Sequence, residues 1–184
     1  MRRHFAAAPW STGLKVTSLL GTVVVLAAAV FAYRAVPVPT GFTHAFGVGV
    51  ALVPVALLGG ALLFVVSGFA VEGNVLLIER LVTSTRVPLD GLTKIAFEPQ
   101  ACKGSLRVIG NGGLLSFTGI YYSKALGRYR LFATDFSRSV VLTLPRRVVV
   151  VTPASPHAFV AHLRSLYPAA EAGVAPGTER PSTG

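Results

Sequence analysis

The chain has 184 residues, 52% of them hydrophobic and only 13% charged, which excludes a disordered polar chain and departs from the balance of an ordinary water-soluble domain. Its 17 Lys and Arg against 7 Asp and Glu give a net charge of +10, suited to nucleic acid, to anionic lipid, or to the basic bias of membrane proteins on their cytoplasmic side. A single cysteine, Cys102, excludes an intrachain disulfide and a thiolate metal cluster.

Residues 1–15 form a basic segment with Arg2, Arg3 and Lys15. Two uncharged apolar runs follow, residues 16–33 and 45–71, and together they predict a two-helix transmembrane hairpin over 16–71. Tilt absorbs the excess length of the second run. Its Pro54 and glycines are tolerated in lipid, and Ala56 and Gly60 form a small-xxx-small pair of the kind common in any Ala/Gly-rich span. The connection between the runs carries only Arg34. The excess of flanking basic residues at the N-terminus therefore places both termini in the cytoplasm, in a multi-pass protein of the inner (plasma) membrane. A cleavable leader is the competing reading of the first run, which is longer than the usual core of such a leader.

Every acidic residue lies at Glu72 or beyond, so the composition changes near Val71. Residues 72–168 read as short β-type runs between turn signals. They are "VLLIER", "VTSTRVPL", "TKIAFE", "SLRVIG" with a hairpin at "NGG", then "GRYRLFAT", "SVVLTL" and "RVVVVT". Seven strands with little helix between them predict a small antiparallel barrel or sandwich. The last, "RVVVVT", suits a strand covered on both faces. In the next stretch Ser155 is the expected N-cap and Pro156 the first helical residue, with Phe159, Leu163 and Leu166 on one apolar stripe extended by Val160 and Tyr167. Pro168 ends this helix, and 169–184 has the composition of a disordered tail.

Seven strands capped by one amphipathic helix resemble the pleckstrin-homology (PH) layout. The spacing G-x-x-x-S-x-x-L-G-x-Y over Gly119–Tyr129 and the element TP-x-x-P-x-x-F over Thr152–Phe159 are similar to those of the bacterial PH-domain families of small membrane-anchored proteins of unassigned function. The resemblance covers roughly residues 72–168. It implies an α+β membrane protein, with two transmembrane helices followed by a PH-like seven-stranded antiparallel barrel or sandwich and a C-terminal helix. The motif positions have structural roles: Gly119 and Gly127 suit turns or close backbone approach, Pro153 and Pro156 frame the strand-to-helix joint, and Phe159 fills the core. The resemblance implies no catalytic residue.

The residues themselves agree with an absence of catalysis. His4, His44, His157 and His162 do not gather into a metal or triad pattern; His157 and His162, five apart, do not share a helix face. Lys103 beside Cys102 could lower the thiol pKa, but a half-buried inert thiol is the plainer reading. "GNGG" lacks the Lys and Ser or Thr of a phosphate loop, and the scattered carboxylates form no acid–base pair. No enzyme, cofactor, metal or nucleic-acid partner is expected. Arg128 and Arg130 share one face of a strand, and Arg146 and Arg147 sit in the turn before the final strand, as candidate contacts to anionic phospholipid or as ordinary solvated charges. The expected function is a cytoplasmic interaction or assembly module for a protein partner or homo-oligomer. The alternatives are a module that binds anionic lipid and an accessory subunit of a transporter or channel, although no intramembrane ionisable residue supports direct transport.

Overall fold

The computed structural model describes residues 2–35 and 42–170. The predicted tail, from 171 on, and part of the interhelical connection lie outside these residues. The chain opens with strand β1 (Arg2–Ala6), then helices α1 (Thr12–Ala35) and α2 (Phe42–Leu62). There follow β2 (Val66–Glu72), β3 (Val75–Arg80), β4 (Ser84–Pro88), β5 (Lys94–Phe97), β6 (Leu106–Gly112), β7 (Phe117–Ser123), β8 (Gly127–Ala133), a 3-10 turn at Phe136–Arg138, β9 (Val140–Leu144), β10 (Arg147–Val151) and α3 (Pro156–Leu166).

The strands form two sheets, one in the order β1-β2-β3-β4 and one in the order β5-β9-β10-β8-β7-β6. The seven predicted strands are present as β3, β4, β5, β6, β8, β9 and β10, with α3 after them, but the expectation of a purely antiparallel sheet is corrected: β10 runs parallel to β8, Val149 opposite Arg130. Parallel pairing arises because the chain leaves β8 through the 3-10 turn and the β9–β10 hairpin before it returns beside β8. Three strands were not among the seven expected. They are β1 in the basic N-terminal segment, β7 in the glycine-containing stretch before Tyr129, and β2 in the end of the second apolar run.

That last strand corrects the second membrane span. Residues 45–71 are not one helix, because the apolar run divides into α2, which ends at Leu62, and β2, whose Phe69, Ala70 and Val71 are buried between neighbours. Burial on both faces makes a strand as uniformly apolar as a lipid-facing helix. Among the described residues one helix, α1, is long and apolar enough to cross a membrane, and the apolar stretch Val48–Leu62 is shorter. At Gly60 no neighbour lies within 4 Å of where a Cβ would stand, so the small-xxx-small pair makes no close helix contact there.

The main core lies between the sheets and under α3, built from Phe69, Leu76, Ile78, Leu142, Val149 and Phe159 among others. A second cluster, with Tyr121, Tyr129, Leu131, Val141 and Val150, occupies the other face of the larger sheet. β10 is thus covered on both sides, Val149 and Val151 facing one cluster and Val150 the other, as its valine run predicts. α3 buries Phe159, Val160 and Leu163, whereas Leu166 is exposed because the apolar stripe has by then turned off the sheet. Ser155 holds the N-cap position without a side-chain cap bond, and Pro156 begins the helix. The stripe and the buried Phe159 are where the spacing places them.

Candidate functional site

β1 pairs with β2 antiparallel, from Arg2 opposite Glu72 to Ala6 opposite Gly68. The chain then crosses the end of the larger sheet: the Ala8 N–H donates to the Thr152 carbonyl at 2.8 Å, the Thr134 hydroxyl donates to the Ala8 carbonyl at 2.7 Å, and the Ser11 N–H donates to the Thr134 carbonyl at 3.2 Å. α1 starts there. The β6–β7 loop reaches along its first turns, where the hydroxyls of Thr17 and Ser18 donate to the Gly113 carbonyl at 3.2 and 3.1 Å and the Leu115 N–H donates to the Ser18 hydroxyl at 2.9 Å. The Ser116 hydroxyl donates to the Phe64 carbonyl just after α2, at 3.0 Å. One end of the domain, carrying the C-termini of β8 and β10 and the β6–β7 loop, is therefore fastened to both helices.

The predicted arginines lie mainly toward the other end. Arg128, Arg130, Arg146 and Arg147 line one depression of ≈ 280 Å³ together with Ile120, Tyr129 and Val148. The strand register explains this meeting: β8 and β10 are hydrogen-bonded neighbours with Tyr129 opposite Val148, which places the β9–β10 turn beside the start of β8. Arg128, Arg130 and Arg146 are exposed. The Arg147 guanidinium donates to the Pro88 carbonyl at 2.9 Å, and that of Arg130 stands over the Phe132 ring, 5.3 Å from its centroid. Among the described residues no carboxylate forms an ion pair with any of the four. Asp90 borders the next depression with Arg146 and Arg147.

Gly119 and Gly127 do different work. Gly127 has φ +64° in the turn that opens β8, with open space where a Cβ would be. Gly119, φ +145°, lies inside β7 opposite Gly110, and a Cβ on either would collide with the other strand's backbone. Pro153 forms a bridge with Ala7, so the motif proline joins the strand-to-helix corner to the N-terminal segment.

Cys102 is half-buried, its sulfur 3.8 Å from the Ser139 hydroxyl. Burial pushes its pKa up, against the Tyr129 and Ser139 contacts that lower it, so the thiol is not activated by Lys103. Nearby, burial likewise pushes the Tyr129 phenol up, while its OH donates to the Ser105 hydroxyl at 2.7 Å. His157 packs edge-on against Phe97, and His162 lies beside Phe5 with its Nδ1 3.4 Å from the Arg3 guanidinium. Burial and the Arg3 charge lower the His162 pKa. Among the described residues no three His, Cys, Asp or Glu gather in metal-binding geometry.

The sequence does not single out Arg80, which lies on the inner face of the smaller sheet. Leu76, Ile78 and Arg80 are successive inward positions of β3, and Arg80 lies with Phe64 and Phe132 around its guanidinium. The signal was present as an arginine in phase with two core residues at period two.

Residues 68–167 match the model of a protein family described as "Bacterial PH domain". No curated protein and no solved structure matches the chain.

Proposed function

We infer that this chain, which belongs to the bacterial PH domain family, is an interaction module held at a membrane by its N-terminal helices, binding an acidic segment of a protein partner through the arginine-lined depression. It acts by binding rather than by catalysis.

The tether is α1. Its apolar residues from Leu19 onward are largely exposed, as those of a helix surrounded by lipid would be. Because β1 precedes α1 and pairs with β2, which follows α2, both flanks of the helix pair lie on one side of whatever the helices enter. On this reading a bilayer crossed by α1 is recrossed by α2, whose apolar stretch Val48–Leu62 is shorter than α1 and asks for local thinning of the bilayer. Arg2, Arg3 and Lys15 favour the cytoplasm for that side. The place of β1 in the sheet supports a retained anchor over a cleaved leader.

The observation that carries the choice of partner is the distance of the arginines from the helices. β8 reaches α1 with its Ala133 end, and Arg128 lies five residues back along the strand, roughly 17 Å. That exceeds the Debye length of about 8 Å at physiological ionic strength, so headgroups at the helix end are largely screened from Arg128. Arg146 and Arg147 are grouped with it. An acidic peptide approaching from the cytoplasm meets all of them.

The test uses the full-length protein in nanodiscs of neutral lipid, titrated with a fluorescent polyglutamate peptide across a salt series. Binding that weakens with salt and falls at least tenfold in the double variant Arg128→Glu, Arg146→Glu is expected. Equal binding by wild type and variant removes the depression as the site. Failure to bind the peptide, combined with capture of separate anionic vesicles, replaces the protein partner with a lipid surface.

A further inference from the structure

A second cavity, of ≈ 570 Å³, opens between the two sheets at the end fastened to the helices. Arg80 and Arg130 enter it from opposite sheets, each continuing an inward-facing row, and Phe64, Ile109, Ile120 and Phe132 supply apolar walls. The two guanidiniums stand 5.7 and 5.3 Å from the centroid of the same Phe132 ring, and Arg80 is also 5.3 Å from that of Phe64. Neither arginine forms an ion pair among the described residues, and the Arg80 Nε is buried without a hydrogen-bond partner there.

An arrangement of this kind is incomplete. Arginine does not discharge in a protein, so the part-buried Arg80 guanidinium keeps its loss of hydration and its repulsion from Arg130, itself exposed to solvent, until an anion joins them. Burial, then the Arg130 charge, accordingly lower the Arg80 pKa. A phosphate fits the donor set, because it accepts several charge-assisted hydrogen bonds from guanidinium forks at once. The walls favour a ligand that is also apolar. Phe64 follows α2 directly, so the cavity opens at the level where the chain leaves the helix pair. At the same end, Leu81 and Val82 in the β3–β4 turn project 65% and 68% exposed. They follow Arg80, which pairs with Val66 at the start of β2.

We propose that this cavity binds the headgroup of an anionic phospholipid, with Arg80 and Arg130 clamping its phosphate and the Phe64 side of the wall receiving the first carbons of its tails. Leu81 and Val82 then rest in the interfacial layer beside it. The proposal rests on the reading of α1 as a membrane tether, but its binding test is independent of the acidic partner. Arg130 borders both depressions, whereas Arg80 lines only this one.

The experiment is native mass spectrometry of the full-length protein in neutral detergent, mixed with phosphatidylglycerol, phosphatidylcholine or inorganic phosphate. One retained phosphatidylglycerol and no retained phosphatidylcholine are expected. Arg80→Gln and Arg130→Gln should each weaken retention at least tenfold, while Arg86→Gln, an equal charge loss on exposed β4, leaves it unchanged. Equal retention by the Arg80 and Arg130 variants, or equal retention of the two lipids, overturns the proposal. Displacement of phosphatidylglycerol by millimolar inorganic phosphate overturns the lipid in favour of free phosphate. Should Arg80→Gln fail to fold by circular dichroism, Arg130→Gln decides the matter alone. Loss of polyglutamate binding with lipid retention intact would sink the partner reading and leave this site standing.

Discussion

Gly119 and Gly127 share a motif but differ in what a methyl group would cost. At Gly127 the φ of +64° is left-handed and the space is open, so Gly127→Ala meets only the backbone preference, about 1–2 kcal/mol. At Gly119 the added carbon would strike the Ile109 carbonyl and Gly110, at a φ of +145° that L-residues rarely adopt. Gly119→Ala should therefore cost more than about 3 kcal/mol or prevent folding, since backbone strain and a backbone clash add. Urea denaturation of the two variants checks this, and equal midpoints would remove the paired-glycine account. The sequence made both glycines legible as special without separating their roles, because the difference lies in Gly110, which only the register brings opposite Gly119. Arg80 was illegible for a related reason. Its phase within β3 was visible, but the apposition to Arg130 depends on how two sheets face one another.

At the level of elements, β1 is held at its solvent side by Glu79 of β3, which accepts hydrogen bonds from the Arg2 guanidinium at 2.6 Å and from His4 Nε2 at 2.7 Å. Burial pushes the Glu79 pKa up, but the hydrogen bonds and charges of Arg2 and His4 outweigh it and hold the carboxyl below its ordinary value. The unfolded chain thus takes up the proton at a higher pH than the folded one. The resulting stability is fully present above the ordinary glutamate pKa of about 4.3 and is lost as pH falls through the lower folded value. Amide exchange across Arg3–Ala6 should accelerate in that acid range. At neutral pH, Glu79→Gln should raise it roughly two- to five-fold, the scale of a partly exposed ion pair. Unchanged exchange in the variant would mean that the strand ladder alone holds β1. Such a strand was hard to read from sequence: "RRHFA" looks like a basic membrane flank, and β2 was hidden inside an apolar run. By contrast, β3, β8 and β9 were placed as short β-type runs between turn signals, β10 by its valine run, and α3 by helical periodicity.

Across the whole molecule, the family and the sandwich with its capping helix were legible, because turn signals and the motif around Gly119–Phe159 are local. The closure of the sheet by the N-terminus was not, since a pairing across two helices leaves no local trace. The membrane topology proposed from it is testable by thiol labelling in cells. In a Cys102→Ala background, Arg34→Cys at the far end of α1 should react with a membrane-impermeant maleimide from outside. Arg146→Cys, in the domain, should react only after permeabilisation. Both positions reacting on the same side would mean that the helix pair lies on the membrane without crossing it. The four arginines singled out from sequence did converge, and what the sequence lacked was the direction in which they point relative to the helices.

The pairing of β1 with β2 also sets an order of events during synthesis. Arg2–Ala6 leave the ribosome first, yet their partners Gly68–Glu72 emerge only after both helices, roughly 3 to 12 s later at 5–20 residues per second. Through that interval the nascent strand has nothing to pair with. If both helices cross as proposed, the return crossing brings β2 back to the waiting N-terminus, whereas a chain in which only one helix has crossed leaves the two strands on opposite faces and the smaller sheet short of its edge. On that reading, completion of the smaller sheet would report that both crossings have been made.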